Sequence, residues 1–343
     1  MEYTTIKIMP VIGPNATSTA ITGLMDKSRI KMSEVHLADR LFAGTLKVAA
    51  SSLIILLFSI GIFLFHTALP SIHKFGWHFA FTSIWDPVQE IFGALPVIYG
   101  TIVSSFIAVL IAAPLSIGVA LFLTEVAPPR ISKILSFLVE MLAAIPSVVY
   151  GLWGIFVLAP KLRETVEPAL GRYLGFLPFF SGPRYGVGML AAGLILAIMI
   201  TPTIFSISKE VFLAVPASLK EAALALGATR WEMMKISILN AARTGVFGAV
   251  ILGLGRALGE TMAVTMVIGN SAKIAASLFA PGQTMASVIA NEYAEATGEI
   301  HLAALAEIGL ALFFITFIVN ALARVFVLKG LRRRLRLISP GRP

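Results

Sequence analysis

The chain has no cysteine, which excludes disulfides, thiol catalysis and thiolate metal sites. Its five histidines form no H-E-x-x-H, so they suggest no metal centre. There is no Gly-Lys dipeptide and hence no G-x-x-x-x-G-K-[ST] loop, so this polypeptide cannot cradle ATP in a P-loop. No Ser/His/Asp cluster or carboxylate pair with catalytic spacing stands out either. Charge is scarce: 13% of 343 residues, about half the roughly 25% of ordinary soluble chains. With 57% hydrophobic residues, a soluble core of this length could not hide the apolar surface. A disordered tail, a nucleic-acid module and most soluble enzymes are excluded. The net charge of +9 then reports membrane orientation and not a nucleic-acid partner.

Apolar runs of about 20 residues read as spanning helices. Six are expected: Val48–Phe65, 97–123, Ile134–Leu158, Gly186–Ser206, Thr244–Ile268 and Leu302–Leu328. Pro96 and Pro114 are expected to break or kink the long uncharged tract Ile91–Thr124, and Pro146 falls inside the third run. The first 47 residues are polar and begin too late in apolar character for a secretory signal. They read as a cytosolic tail, with Val35–Leu46 suited to an interfacial helix. Three domains follow: 1–47, a permease domain over 48–328 that includes a cytosolic segment at 208–243, and a basic tail at 329–343.

An even number of spans puts both termini on one side. With the termini inside, cytosolic segments carry 20 Lys and Arg against six outside, with Arg256 in the fifth span. The positive-inside rule therefore places both termini in the cytosol of a multi-pass cytoplasmic-membrane protein. The outer loops 66–92, 160–185 and 271–301 are rich in aromatics, Gly and Pro, and read as ordered caps. No internal repeat supports the inverted-repeat logic of secondary transporters.

Two segments carry chemistry. Lys220 to Glu232 contains Glu221-Ala222-Ala223 and then Gly227. Ala and Leu favour a helix, and Gly227 supplies the positive φ that ends one. Helix, sharp turn and helix would form a knob able to dock on a partner; a connector without a partner fits the same pattern. The second segment holds Arg256 and Glu260 in mid-span, where a charge costs about 2.5–3.5 kcal/mol or more. Their i, i+4 spacing would put both on one helix face, with Gly253, Gly255 and Gly259 allowing close approach. Two roles stay open: a guanidinium fork for an oxyanion, or a buried ion pair joining helices. Glu140, His301 and Glu307 lie near expected span ends and read as charges reaching for solvent. Pro146 and Tyr150 fit either a path lining or a structural kink.

The Glu221–Gly227 segment resembles the EAA loop of ATP-binding-cassette importer permeases, most closely the PstC type of phosphate permease. Leu142–Gly151, Leu254–Val264 and, less specifically, Asn291–Ala296 carry the same resemblance, which covers about residues 47–335. One position departs: the family's Ile-x-Leu-Pro reads Ile238-Leu239-Asn240 preceded by Ser237.

The resemblance implies an all-α, MetI-like permease working by alternating access. It implies a second permease chain of the PstA type, a cytosolic ATPase dimer of the PstB type and an extracytoplasmic phosphate-binding protein of the PstS type. Membrane lipid surrounds such an assembly; nucleic acid has no part in it, and no cofactor or metal is implied. Glu221, Ala222, Ala223 and Gly227 would couple to the ATPase, and Arg256, Glu260 and Thr261 would line the substrate path. Sulfate and molybdate permeases carry a similar Arg-Ala-x-Gly-Glu pattern, so another oxyanion stays open, as does an ATPase-independent transporter.

Overall fold

The computed structural model describes residues 14–338, with side-chain surroundings for 39–325. Residues 1–13 and 339–343, and the side chains of the basic run Lys329–Arg336, lie outside the described residues. Internal contacts divide the chain into two units, Met1–Ile62 and Phe63–Pro343. In the first unit, α1 begins at Pro14 and passes Val35–Leu46 and Val48 without a break; it ends at Phe75, in the second unit.

The second unit is built from helices. A two-residue hairpin, β1 (Trp85–Asp86) and β2 (Ile91–Phe92), follows α1. Then come α2 (Leu95–Glu125), α3 (Pro129–Leu142), α4 (Ser147–Leu174), α5 (Met189–Leu213), α6 (Ala217–Ala225), α7 (Arg230–Gly259), α8 (Met262–Val267), α9 (Met285–Glu292) and α10 (Glu299–Ile338). Among the described residues five helical segments are long and apolar enough to cross a membrane: Asp39–Ala80, α2, α5, α7 and Glu299–Val325. The third expected span, Ile134–Leu158, exists only as a bent pair, α3 and α4, which meet at 90°.

That bend corrects the reading of Ile134–Leu158 as one helix. Pro146 has φ −59° and ψ 142° and caps α4, so the chain is extended there. Proline lacks the N–H a helix interior needs and disfavours helix in the residue before it. Tyr150, only 7% exposed, donates its hydroxyl to the carbonyl of Leu142 at 2.7 Å and so ties the two sides of the break. Pro114, in contrast, sits inside an uninterrupted α2, and Pro96 falls in that helix's first turn, where its missing N–H is harmless.

The core is organised around α5. On α2 the residues Gly100, Ser104, Ala108, Ala112, Ser116 and Ala120 recur every four positions and are all buried. Small side chains at this spacing let backbones approach, which is how helices associate where lipid is as apolar as leucine. Ser116 donates to the Thr201 carbonyl of α5 at 3.1 Å. Ala108 and Ala112 share one cluster with Ile195, Met199, Ile200 and Ile204 of α5, Ala249 and Ala257 of α7, and Ala263, Val264 and Val267 of α8. Gly253 marks a close approach of α7 to α5: a Cβ there would lie 2.7 Å from the Ile204 side chain, and one at Gly245 2.6 Å from Val211.

A second cluster joins Phe79, Phe92 and Val97 to Met285 and Val288 of α9 and Ala304, Leu305 and Ile308 of α10. Here Glu292 accepts from Trp85 Nε1 at 2.9 Å and lies 2.9 Å from His301 Nε2, while His301 stacks on Phe92. His301 is therefore engaged by the fold and not held out to solvent. Glu307 is likewise turned inward, with its Oε2 buried in the fold and not held out to solvent. Glu140 is half exposed and pairs with Lys209 at 3.0 Å, in line with a solvated charge.

Candidate functional site

The helix, turn and helix expected around Gly227 is present. α6 ends in a Schellman motif: Gly227 N–H donates to the Leu224 carbonyl at 3.0 Å and Ala228 N–H to the Ala223 carbonyl at 3.2 Å. Gly227 carries the required positive φ, 85°. The next helix, α7, starts with a reciprocal cap. Thr229 Oγ1 accepts from Glu232 N–H at 3.3 Å, and Glu232 Oε2 accepts from Thr229 N–H at 2.8 Å. Asn240, where the family has proline, does not end a short second helix. The chain runs from Arg230 through a π stretch, Met234–Leu239, into the apolar part of α7.

The knob is held on one side and open on the other. Lys220 of α6 pairs with Glu125 at the end of α2, and Ser237 of α7 donates to the Leu219 carbonyl at 3.1 Å. Ala223 packs on a core cluster of Phe205, Phe212, Met233 and Ile238. Glu221, Ala222 and Gly227 are exposed. Leu226 is 90% exposed and Trp231 62%, beside Leu224. Large apolar side chains are thus left open beside a fixed turn.

The second candidate segment differs from its expected form. The fifth span ends at Gly259 and does not reach Ile268. Glu260 is extended, with φ −69° and ψ 126°, and α8 restarts the helix at Met262. Arg256 and Glu260 are therefore not on one helix face, because four residues make one turn only while the helix continues. The ion pairs of the described residues are Lys74–Glu90, Arg163–Glu164, Lys209–Glu140, Lys220–Glu125 and His301–Glu292; Arg256–Glu260 is not among them.

Each charge has another partner. Arg256 is exposed on the single chain, and its Nη1 donates to Thr203 Oγ1 of α5 at 3.2 Å. Glu260 Oε1 accepts from Ala263 N–H at 3.4 Å and so satisfies the start of α8. Thr261 Oγ1 donates to the Gly259 carbonyl at 3.3 Å, while the Thr261 carbonyl accepts from Thr265 Oγ1 at 2.7 Å. Of the three flanking glycines only Gly253 is closely packed; a Cβ at Gly255 would reach Asn320 at 3.8 Å, and one at Gly259 nothing.

The two breaks are neighbours. The first turns of α4 pack on α8, and a Cβ at Gly151 would fall 2.5 Å from Met266 Sδ and 3.2 Å from Ala263 Cα. Tyr150 lies within electrostatic range of Arg256. The structure thus brings Arg256, Glu260 and Thr261 to a discontinuity shared by two helices. Irregular backbone at membrane depth is tolerated where protein buries it or where it lines a water-filled cavity. Pro146 was the one local sign of the first break; nothing but Gly259 signals the second.

A bundle of apolar helices, broken beside an arginine that has no carboxylate partner among the described residues and carrying an exposed two-helix knob, is that of a polytopic membrane transport subunit. Residues 114–329 match the family of the binding-protein-dependent transport system inner membrane component. The chain is 44% identical over 319 residues to the phosphate transport system permease protein PstC of Mesorhizobium japonicum, covering 92% of this chain and 98% of that one. It is 47% identical over 310 residues to PstC of Haemophilus influenzae, covering 89% and 98%. Among solved structures, the inward-facing MetNI methionine ABC transporter matches with a TM-score of 0.52 at 15% identity, over 72% of this chain and 99% of that chain. The chain belongs to this family of binding-protein-dependent inner-membrane transport components, in its PstC branch. Its fold is that of the MetI-like permeases.

Proposed function

We propose that the chain moves inorganic phosphate across the cytoplasmic membrane as one of two permease subunits of an ATP-driven importer. The substrate follows from the phosphate permeases it matches over most of its length. The observation that carries the proposal at the level of atoms is Arg256: a guanidinium at a helix break, bound to a neutral hydroxyl and, among the described residues, to no carboxylate. Such a fork has donors to spare for a tetrahedral oxyanion, and its planar geometry suits bidentate contact. Glu260 and Thr261 form the adjoining backbone turn of the same path. A carboxylate repels a fully ionised anion, so Glu260 serves by holding α8 in register and by accepting from a protonated phosphate oxygen.

The knob of Glu221, Ala222, Ala223 and Gly227 receives the motion of a separate ATPase pair of the PstB type. The termini and residues 208–243 face the cytosol, with the permease domain at 48–328 between the polar tail 1–47 and the basic tail 329–343. A second permease of the PstA type covers the exposed side of Arg256, and a binding protein of the PstS type delivers phosphate at the outer caps. ATP closes the ATPase dimer, the knob follows, and the spans reorient around Arg256.

The test is uptake of labelled phosphate into vesicles holding the assembled complex, with sulfate and molybdate as competitors. ATP-dependent uptake that excess sulfate and molybdate leave unchanged is expected. Uptake of molybdate or sulfate in preference to phosphate, or phosphate uptake without any nucleotide-hydrolysing partner, would overturn the proposal.

A further inference from the structure

Threonines inside these helices mostly return their hydroxyl proton to the carbonyl one turn back. Thr101 does so to Val97 at 2.8 Å, Thr124 to Ala120 at 3.0 Å, Thr201 to Ala197 at 2.7 Å and Thr316 to Leu312 at 2.7 Å. Thr203, two residues after Thr201 on the same helix, breaks the pattern. Among the described residues the one hydrogen bond of its side chain is the one its Oγ1 accepts from Arg256 Nη1. It directly follows Pro202, which is buried in α5. Ile204, the next residue, fills the space that Gly253 leaves on α7. Thr203 is therefore held at a fixed place between the two helices.

We infer that Thr203 is the positioning residue for Arg256, orienting its guanidinium toward the oxyanion path. This rests on the reading of Arg256 given above. The argument is one of donor count and side-chain freedom. A guanidinium has five N–H donors in a rigid fork. Thr203 occupies one and leaves four, enough for a bidentate contact with a tetrahedral anion. An arginine side chain loses rotamer entropy when it is ordered. A partner that orders it beforehand removes part of that loss from the transport step. A carboxylate could also orient the arginine, but it would cancel the charge that attracts the anion; a neutral hydroxyl orients without neutralising.

The experiment compares Thr203→Val, Thr203→Ser and Arg256→Gln in the assembled transporter, with phosphate uptake normalised to complex and to basal ATP hydrolysis. Valine keeps the shape and removes the hydroxyl; serine keeps the hydroxyl. We expect the maximal uptake rate of Thr203→Val to fall about tenfold, the loss of one charge-assisted hydrogen bond. The phosphate concentration at half-maximal uptake should not change, and Thr203→Ser should keep more than half the rate. Uptake above half the normal rate in Thr203→Val, while Arg256→Gln is inactive, overturns the inference and leaves the reading of Arg256 standing. Failure of serine to restore what valine loses also overturns it, since a packing role would not follow the hydroxyl. Near-normal uptake by Arg256→Gln overturns the reading of Arg256 and this inference with it.

Discussion

Gly227 allows the most direct test of the coupling knob, because strain and steric clash are cleanly separated there. Its φ is 85°, and a Cβ added to it would meet nothing within 4 Å. A side chain at this position therefore encounters no neighbour, and the whole cost of Gly227→Val is conformational. Holding a non-glycine residue at such a φ costs of order 1–3 kcal/mol, with β-branched residues at the upper end. A cost near 2 kcal/mol shifts the local equilibrium of the turn about thirtyfold, since 1.4 kcal/mol is a factor of ten. The Schellman bonds of Gly227 and Ala228 to α6 would be released. The Lys220–Glu125 pair and the Ser237–Leu219 bond hold the rest of α6 and should survive. The spans do not include Gly227, so insertion and assembly should be normal. Asparagine, which tolerates positive φ better than valine, should lie between the two. The assay measures phosphate uptake and transport-stimulated ATP hydrolysis in vesicles for Gly227, Gly227→Asn and Gly227→Val, each per assembled complex. We expect uptake to fall in that order while basal hydrolysis continues. Full uptake with normal stimulation in a stably assembled Gly227→Val variant would refute the reasoning.

The missing Arg256–Glu260 pair has its own consequence: Arg256→Gln and Glu260→Gln should each cost under about 1.5 kcal/mol in thermal stability of the complex, as single hydrogen bonds do. The double change should not be milder than either one, and recovery of stability or uptake in the double variant would reveal a buried pair after all. Lys220→Met leaves the Glu125 side chain, 9% exposed, without its cation; the cost should fall between the ~1 kcal/mol of an exposed pair and the 3–5 kcal/mol of a buried one, read as a lowered melting temperature, with no change pointing to a pair of no energetic worth. Gly253→Leu places side-chain atoms where Ile204 already sits, 2.7 Å from a Cβ, and should sharply reduce folded, assembled protein in membranes. A cysteine at Thr229, unique in a chain that has none, should react with a membrane-impermeant reagent only from the cytosolic side; labelling from outside intact cells would reverse the proposed orientation.

That the chain is built of five to six apolar helical segments long enough to cross a membrane was legible in the sequence, for a reason particular to lipid. A backbone polar group in hydrocarbon must be satisfied within its own segment, so an uncharged apolar run of some 20 residues has little choice but helix. The knob was legible too, because Gly227 meets a local need: one residue at positive φ between two helix formers. The four-residue recurrence of small residues from Gly100 to Ala120 was equally present in the sequence. It marks the face that α2 turns to α5, though only the packing shows which helix it meets. The breaks were not legible to the same degree. Hydropathy averages over a span and does not register whether the backbone inside it stays helical, so Ile134–Leu158 and Thr244–Ile268 each read as one helix. Pro146 hinted at the first break, but Pro114 has the same chemistry and leaves α2 whole; the difference lies in what packs around each. The spacing of Arg256 and Glu260 suggested a pair only on the assumption that the helix continued. The tertiary structure ends that helix at Gly259 and gives Glu260 to the Ala263 amide. It gives Arg256 to Thr203, 53 residues away, a contact that local periodicity cannot encode. Partners across helices follow from how whole segments pack, and that is the part of the site that only the fold decided.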